Sequence, residues 1–248
     1  MKRTMEYPND FIEMLERCSN KGYDDKFIIG GGNPDSIILF VGQEPTGDAE
    51  DMNTLRHYLD NHKKGIVDKW TRYRVEEEKY FKDQGKEAPP YWTNKQTLWG
   101  CYQTLCDIIF EEKDKNRKEV FDFEERVFCS EMNGSPSKRT REANKDSIEI
   151  RKQFFMDPYF SRFNVIVLAC GNYLSNVSDN PEERDIDKIF NVRFFERHGK
   201  PRNYFWTHYN EEKTRLVIHT RNLSADISKD MLSEMGNIIR DFLKSLPK

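Results

Sequence analysis

The chain has 248 residues, enough for a buried core without disulfide or metal staples. Charged residues make up 33%, but 17 Phe, 11 Tyr and 4 Trp exclude a globally disordered chain. With 40 Lys and Arg against 43 Asp and Glu, the net charge is −3, so any basic surface for nucleic acid has to be local.

Residues 9–19 (NDFIEMLERCS) predict a short amphipathic helix, with Asn9 or Asp10 as N-cap and Phe11, Ile12, Met14 and Leu15 inward. The turn Gly30-Gly31-Gly32-Asn33-Pro34 follows; without a Lys-Ser/Thr pair it is a tight loop and not a P-loop. Ile37 to Val41, closed by Gly42, is a continuous run of β-formers and predicts a strand buried on both faces. Further strands are expected at 126–132, 164–170 and 215–220, and helices at about 51–62, 95–111, 141–155 and 225–245. Strands alternating with helices predict an α/β fold: a three-layer α/β/α sandwich around a central, mainly parallel four-stranded sheet. One domain over 1–248 is expected, with a charged helical excursion near 63–92. Residues 179–214 form a second long connection, in which Tyr204–Tyr209 and Thr214–His219 can pair as a hairpin.

The apolar runs fall far short of the roughly 18 residues that suggest a membrane span, and MKRTMEYPNDF lacks the apolar stretch of a signal peptide. The five cysteines form no CxxC pair, so reduced thiols in a cytoplasm are expected, with no metal, iron–sulfur cluster or other cofactor.

In an open parallel sheet, ligands bind beyond the carboxyl ends of the strands. The residues there are Gly42-Gln43-Glu44-Pro45-Thr46-Gly47, Glu131-Met132-Asn133-Gly134, Gly171-Asn172-Tyr173 and His219-Thr220-Arg221-Asn222-Leu223-Ser224. Carboxylate, amide, imidazole and guanidinium would converge on one crevice. The acids Asp48, Glu50 and Asp51 beside Glu44 read as solvated charges at a helix start. Without a ligand spacing they do not make a metal site.

In chain order these blocks resemble the uracil-DNA glycosylase-like superfamily. GQEPTG is similar to its first motif, VFCSEMNGSPSKRTREANKDSIEIRKQFF to its second strand, basic loop and helix, VIVLACGNYL to its third strand, and LVIHTRNLS to its last motif. The resemblance covers residues 27–245 without accounting for 63–92 and 179–214. It implies that Glu44 orients or activates water and that His219 hydrogen-bonds the base. Gln43 would help to hold that base, Asn133 or Glu131 would read its edge, and Leu223 would enter the duplex as a wedge. Thr46 stands where one branch has a tyrosine that excludes the thymine methyl, so restriction to uracil is not implied. Thr220-Arg221-Asn222 replaces Pro-Ser-Pro in the loop that presses on DNA.

The chemistry is consistent with those residue types. Breaking an N-glycosidic bond builds positive charge on the sugar and negative charge on the departing base. A carboxylate such as Glu44 stabilises the first and a neutral imidazole such as His219 the second. Lys138, Arg139 and Arg221 are the expected nucleic-acid contacts, and Arg193, Arg197, Lys200 and Arg202 form a second basic cluster. Two functions follow as expectations. One is a hydrolase that removes a damaged or deaminated base from DNA, single-stranded DNA included. The other is a protein of the same fold that binds nucleic acid or a nucleotide-like ligand without cleaving it.

Overall fold

In a computed structural model, residues 6–45, 53–65, 98–111, 122–137, 143–176, 183–224 and 227–247 are described. Their strands join in one mixed sheet of seven. The described elements, in chain order, are α1 (Asn9–Asn20), β1 (Gly31–Gly32), β2 (Ile38–Gly42), α2 (Leu55–Lys63), α3 (Leu98–Ile109), β3 (Phe128–Glu131), α4 (Ile148–Phe155), β4 (Val165–Leu168), α5 (Asp185–Phe190), β5 (Arg193–Lys200), β6 (Asn203–Tyr209), β7 (Leu216–Thr220) and α6 (Lys229–Ser245). The sheet order is β1-β3-β2-β4-β7-β6-β5. The central neighbours β3-β2, β2-β4 and β4-β7 run parallel, while β1, β6 and β5 are antiparallel to their neighbours.

The four central strands coincide with the four expected from the apolar runs, but the expected four-stranded sheet is corrected to seven strands. The hairpin partner of β7 is β6, paired from Tyr209↔Leu216 to Phe205↔Thr220. β5 continues the sheet from within the stretch read as a connection. Its residues are almost all exposed, so it carries none of the apolar alternation that marks a half-buried strand. β1 is two glycines and carries no strand signal at all. The helix expected over 141–155 begins only at Ile148. The excursion near 63–92 lies outside the described residues from 66 onward.

Successive strand residues supply opposite faces. Leu39, Val41, Phe128, Ile166, Leu168 and Val217 join one core, to which α1, α2, α4 and α5 contribute Phe11, Tyr58, Phe154 and Ile186. Ile38, Phe40, Val165, Val167, Leu216 and Ile218 join the other, with Leu105 of α3 and Met235 and Ile239 of α6. In α6 the apolar positions Met231, Leu232, Met235, Ile239 and Phe242 fall on one stripe, and the Ser228 hydroxyl caps the start by accepting from the Met231 N–H. Gly236 lets α6 approach α3: a Cβ there would lie 2.6 Å from Ile108 Cγ2.

Arg151 of α4 ties the first core to the strand ends. It is fully buried, and its guanidinium donates to the Glu131 carbonyl at 2.9 Å, to the Ser130 hydroxyl at 2.7 Å and to the Ile28 carbonyl. Phe27, Phe154 and Phe155 rings pack around it. Burial lowers its pKa to about 9, and the nearby Glu131 opposes that fall.

Candidate functional site

The chain passes from β2 to β3 on one side of it, then returns to β4 on the other. β2 and β4 therefore flank the point where the strand order reverses, the position at which open α/β sheets take their ligands beyond the carboxyl ends. Glu44 follows β2 and Tyr173 follows β4. The Tyr173 hydroxyl donates to Glu44 Oε2 at 2.6 Å, spanning that point. Burial, followed by the Glu44 contact, pushes the Tyr173 phenol up to about 12, so it remains a donor at neutral pH. Lys145 places its ammonium 5.5 Å from the Tyr173 ring centroid.

Gln43 knits three strand ends together. Its Nε2 donates to the Cys170 carbonyl at 3.3 Å, and its Oε1 accepts from Asn222 Nδ2 at 2.8 Å. The turn Gly171–Tyr173 after β4 favours glycine through its backbone conformation. Gly171 has φ +56°, and a Cβ would come within 2.9 Å of Gln43 Nε2. The backbones beyond β2 and β3 also continue to pair: the Asn133 N–H donates to the Gln43 carbonyl at 2.7 Å and the Ser137 N–H to the Pro45 carbonyl at 3.0 Å.

His219 sits near the end of β7 and is buried. Its Nε2 lies 2.8 Å from the Gly171 carbonyl, an acceptor only, so Nε2 carries the proton. Nδ1 is then the lone-pair nitrogen, buried with no hydrogen-bond partner. Burial lowers the imidazole pKa to about 4, against the pull of the Gly171 carbonyl, so the ring is neutral at pH 7. Trp206 stacks on it at 5.3 Å and 18°. The donor expected to face a base is thus engaged by the protein's own turn, while His219 and Glu44 share the carboxyl edge through Gly171 and Gln43.

Glu131 and Asn133, two residues apart, have different environments. Asn133 is fully buried; its amide donates to the Asn144 carbonyl at 2.7 Å and accepts from the Ser135 N–H and the Ser147 hydroxyl at 3.0 and 2.6 Å. These hydrogen bonds fold the loop after β3 onto the start of α4. Glu131 instead lays its carboxyl over Gly42, where any Cβ would overlap it, and its Oε2 is buried without a hydrogen bond. Burial, reinforced by Glu44 and opposed by Arg151, pushes its pKa up to about 8.

Leu223, expected as a wedge, is fully buried in the core shared with α3 and α6. Arg221 is exposed, and its guanidinium reaches the Arg202 carbonyl at 3.4 Å. Thr46, Lys138 and Arg139, together with Asp48, Glu50 and Asp51, lie outside the described residues. All five cysteines are free thiols, and burial raises Cys18 to about 12 and Cys101 to about 11, so these two stay protonated at neutral pH. Among the described residues, no group of three or more His, Cys, Asp or Glu is placed to hold a metal ion, and no helix is long and apolar enough to cross a membrane.

Sequence patterns alone assign no role to Tyr173 or Trp206. Tyr173 carries a positional signal, a few residues beyond a buried strand, whereas Trp206 becomes a site neighbour only through the pairing of β6 with β7. No family model matches the chain, and no curated protein matches it.

Proposed function

We infer that the chain is a uracil-DNA glycosylase-like three-layer α/β/α domain that takes a nucleobase into the crevice between β2 and β4 and hydrolyses its N-glycosidic bond. The observation that carries this reading is Glu44, a carboxylate oriented by the Tyr173 hydroxyl at 2.6 Å across the strand-order reversal. Glu44 takes a proton from a water whose oxygen bonds to the sugar carbon. The bond from that carbon to the base nitrogen breaks with its electron pair on the base, and the proton held by Glu44 passes through water to the departed base, which restores the carboxylate. Glu44 also faces the positive charge that builds on the sugar. Neutral His219 holds the Gly171 turn, and with it the Tyr173 hydroxyl, in place. Gln43 and Glu131 supply polar groups beside the crevice.

The second reading, binding without cleavage, is favoured by one specific observation: the amide of Asn133 and the N–H of His219 both bond the protein's own loops. Oligonucleotides carrying uracil, hypoxanthine or a mismatch, followed by scission at abasic sites, separate the two. The wild type is expected to excise a base. Glu44→Gln should bind the same oligonucleotide within a few-fold and lose roughly 10²-fold or more in rate, since the charge acts chiefly in the transition state. Binding without excision by the wild type would overturn hydrolysis in favour of the binding protein; neither binding nor excision would end both.

A further inference from the structure

The hairpin β5–β6 belongs to the stretch 179–214, for which the superfamily resemblance provides no role. Its two faces differ. On one face, the register sets Arg197 opposite Trp206, Gly199 opposite Tyr204, and Trp206 opposite His219 of β7. The Arg197 guanidinium lies 4.6 Å from the Tyr204 ring centroid. Tyr204 meets Trp206 edge-on at 4.8 Å, and Trp206 stacks on His219. The Arg221 guanidinium reaches the Arg202 backbone carbonyl just before β6, and Arg197, Arg202 and Arg221 are all exposed. On the other face, Phe205 is buried in the core against α6, and His198 approaches Glu234 of α6 at 3.4 Å. Arg197 and the partly exposed rings of Tyr204 and Trp206 thus lie on one face, in a line from the edge of the sheet to His219.

We propose that this face of β5–β6, with Arg221, is a binding platform for single-stranded nucleic acid that leads into the crevice at Glu44. Planar rings offer a stacking surface to any unpaired base, and the arginines take the phosphates between them; a duplex would keep its bases stacked away from these rings. The net charge of −3 is no obstacle, because the positive charge is local. The proposal deepens the reading above and rests on it for the crevice, but the platform binds whether or not Glu44 cleaves.

The test is fluorescence anisotropy of a fluorescein-labelled oligo(dT) 20-mer, titrated with full-length protein over a salt series. The wild type is expected to bind the single strand more tightly than a duplex of equal length. Tyr204→Ala should weaken binding on the order of tenfold. Arg197→Ala should weaken it and lower the slope of log affinity against log salt by about 0.7 for each phosphate that is no longer neutralised. Both side chains lie outside the cores, and an unchanged Tm identifies a folded variant. Equal affinity for the duplex, or variants that bind like the wild type, would overturn the platform; if base excision persisted in that case, the hydrolase reading would stand. Weakened variants with no excision from any oligonucleotide would keep the platform and end the hydrolase. A wild type that ignores the oligomer and forms a dimer split by Arg197→Ala would overturn the proposal and assign the edge strand to a second copy.

Discussion

Replacing Glu131 by glutamine is expected to change how folding stability depends on pH while leaving the fold intact. The Glu131 carboxyl lies over Gly42 with Oε2 buried and unbonded, and Arg151 reaches the Glu131 carbonyl rather than its carboxylate. Burial, with Glu44 reinforcing and Arg151 opposing, raises the folded-state pKa from 4.5 to about 8. Between these values the folded protein keeps a proton that the unfolded chain has released. The stabilisation is therefore fully present below pH 4.5 and is lost as pH rises through 8. The slope approaches about 1.4 kcal/mol per pH unit, or about 2.5 kcal/mol between pH 5 and pH 7. Glutamine has the shape of the protonated acid and does not titrate. Glu131→Gln should therefore gain that amount relative to the wild type across the same interval. Urea unfolding followed by tryptophan fluorescence at pH 5, 6, 7 and 8 measures it. A difference between the two proteins that stays constant with pH would refute the assignment of a buried carboxyl that folding keeps protonated.

His219 gives the opposite limb. Its folded-state pKa is lowered by burial from 6.5 to about 4, so stability present above pH 6.5 is lost as pH falls towards 4, by about 3 kcal/mol in all. His219→Gln should flatten the fall in Tm between pH 7 and pH 4.5, and an unchanged acid limb would contradict a buried neutral imidazole. Arg17 holds the buried Asp157 carboxylate through two hydrogen bonds of 2.9 and 2.8 Å, and Asp157 also caps the turn that begins at Pro158. Arg17→Met should cost about 1 to 2 kcal/mol by urea unfolding, since Arg17 itself is partly exposed. Adding Asp157→Asn should return part of that loss; an additive loss in the double variant would show that the two do not act as a pair.

The central parallel strands are legible in the apolar runs alone. Ile38–Val41, Val165–Leu168 and Leu216–Ile218 are buried on both faces, and a strand with two buried faces has to be apolar at every position. The same logic placed Gln43, Glu44 and His219 at one edge of the sheet, since parallel strands share their carboxyl ends. It could not show β5, whose exposed residues are freed from any hydrophobic pattern, nor β1, which pairs through backbone alone. Only the tertiary structure decided what each polar side chain does there. Glu131 and Asn133 are two residues apart, yet the return of the chain at Asn144 and Ser147 consumes the amide and leaves the carboxyl over Gly42 without a partner. Leu223, expected as a wedge, is packed in the core beside α6. The Tyr173–Glu44 hydrogen bond joins residues 129 positions apart, and the stacking of Trp206 on His219 depends on hairpin register. Local patterns record whether a residue is buried; hydrogen-bond partners are set by which distant segments the fold brings within about 3 Å, and that distance is not written in any neighbouring residue.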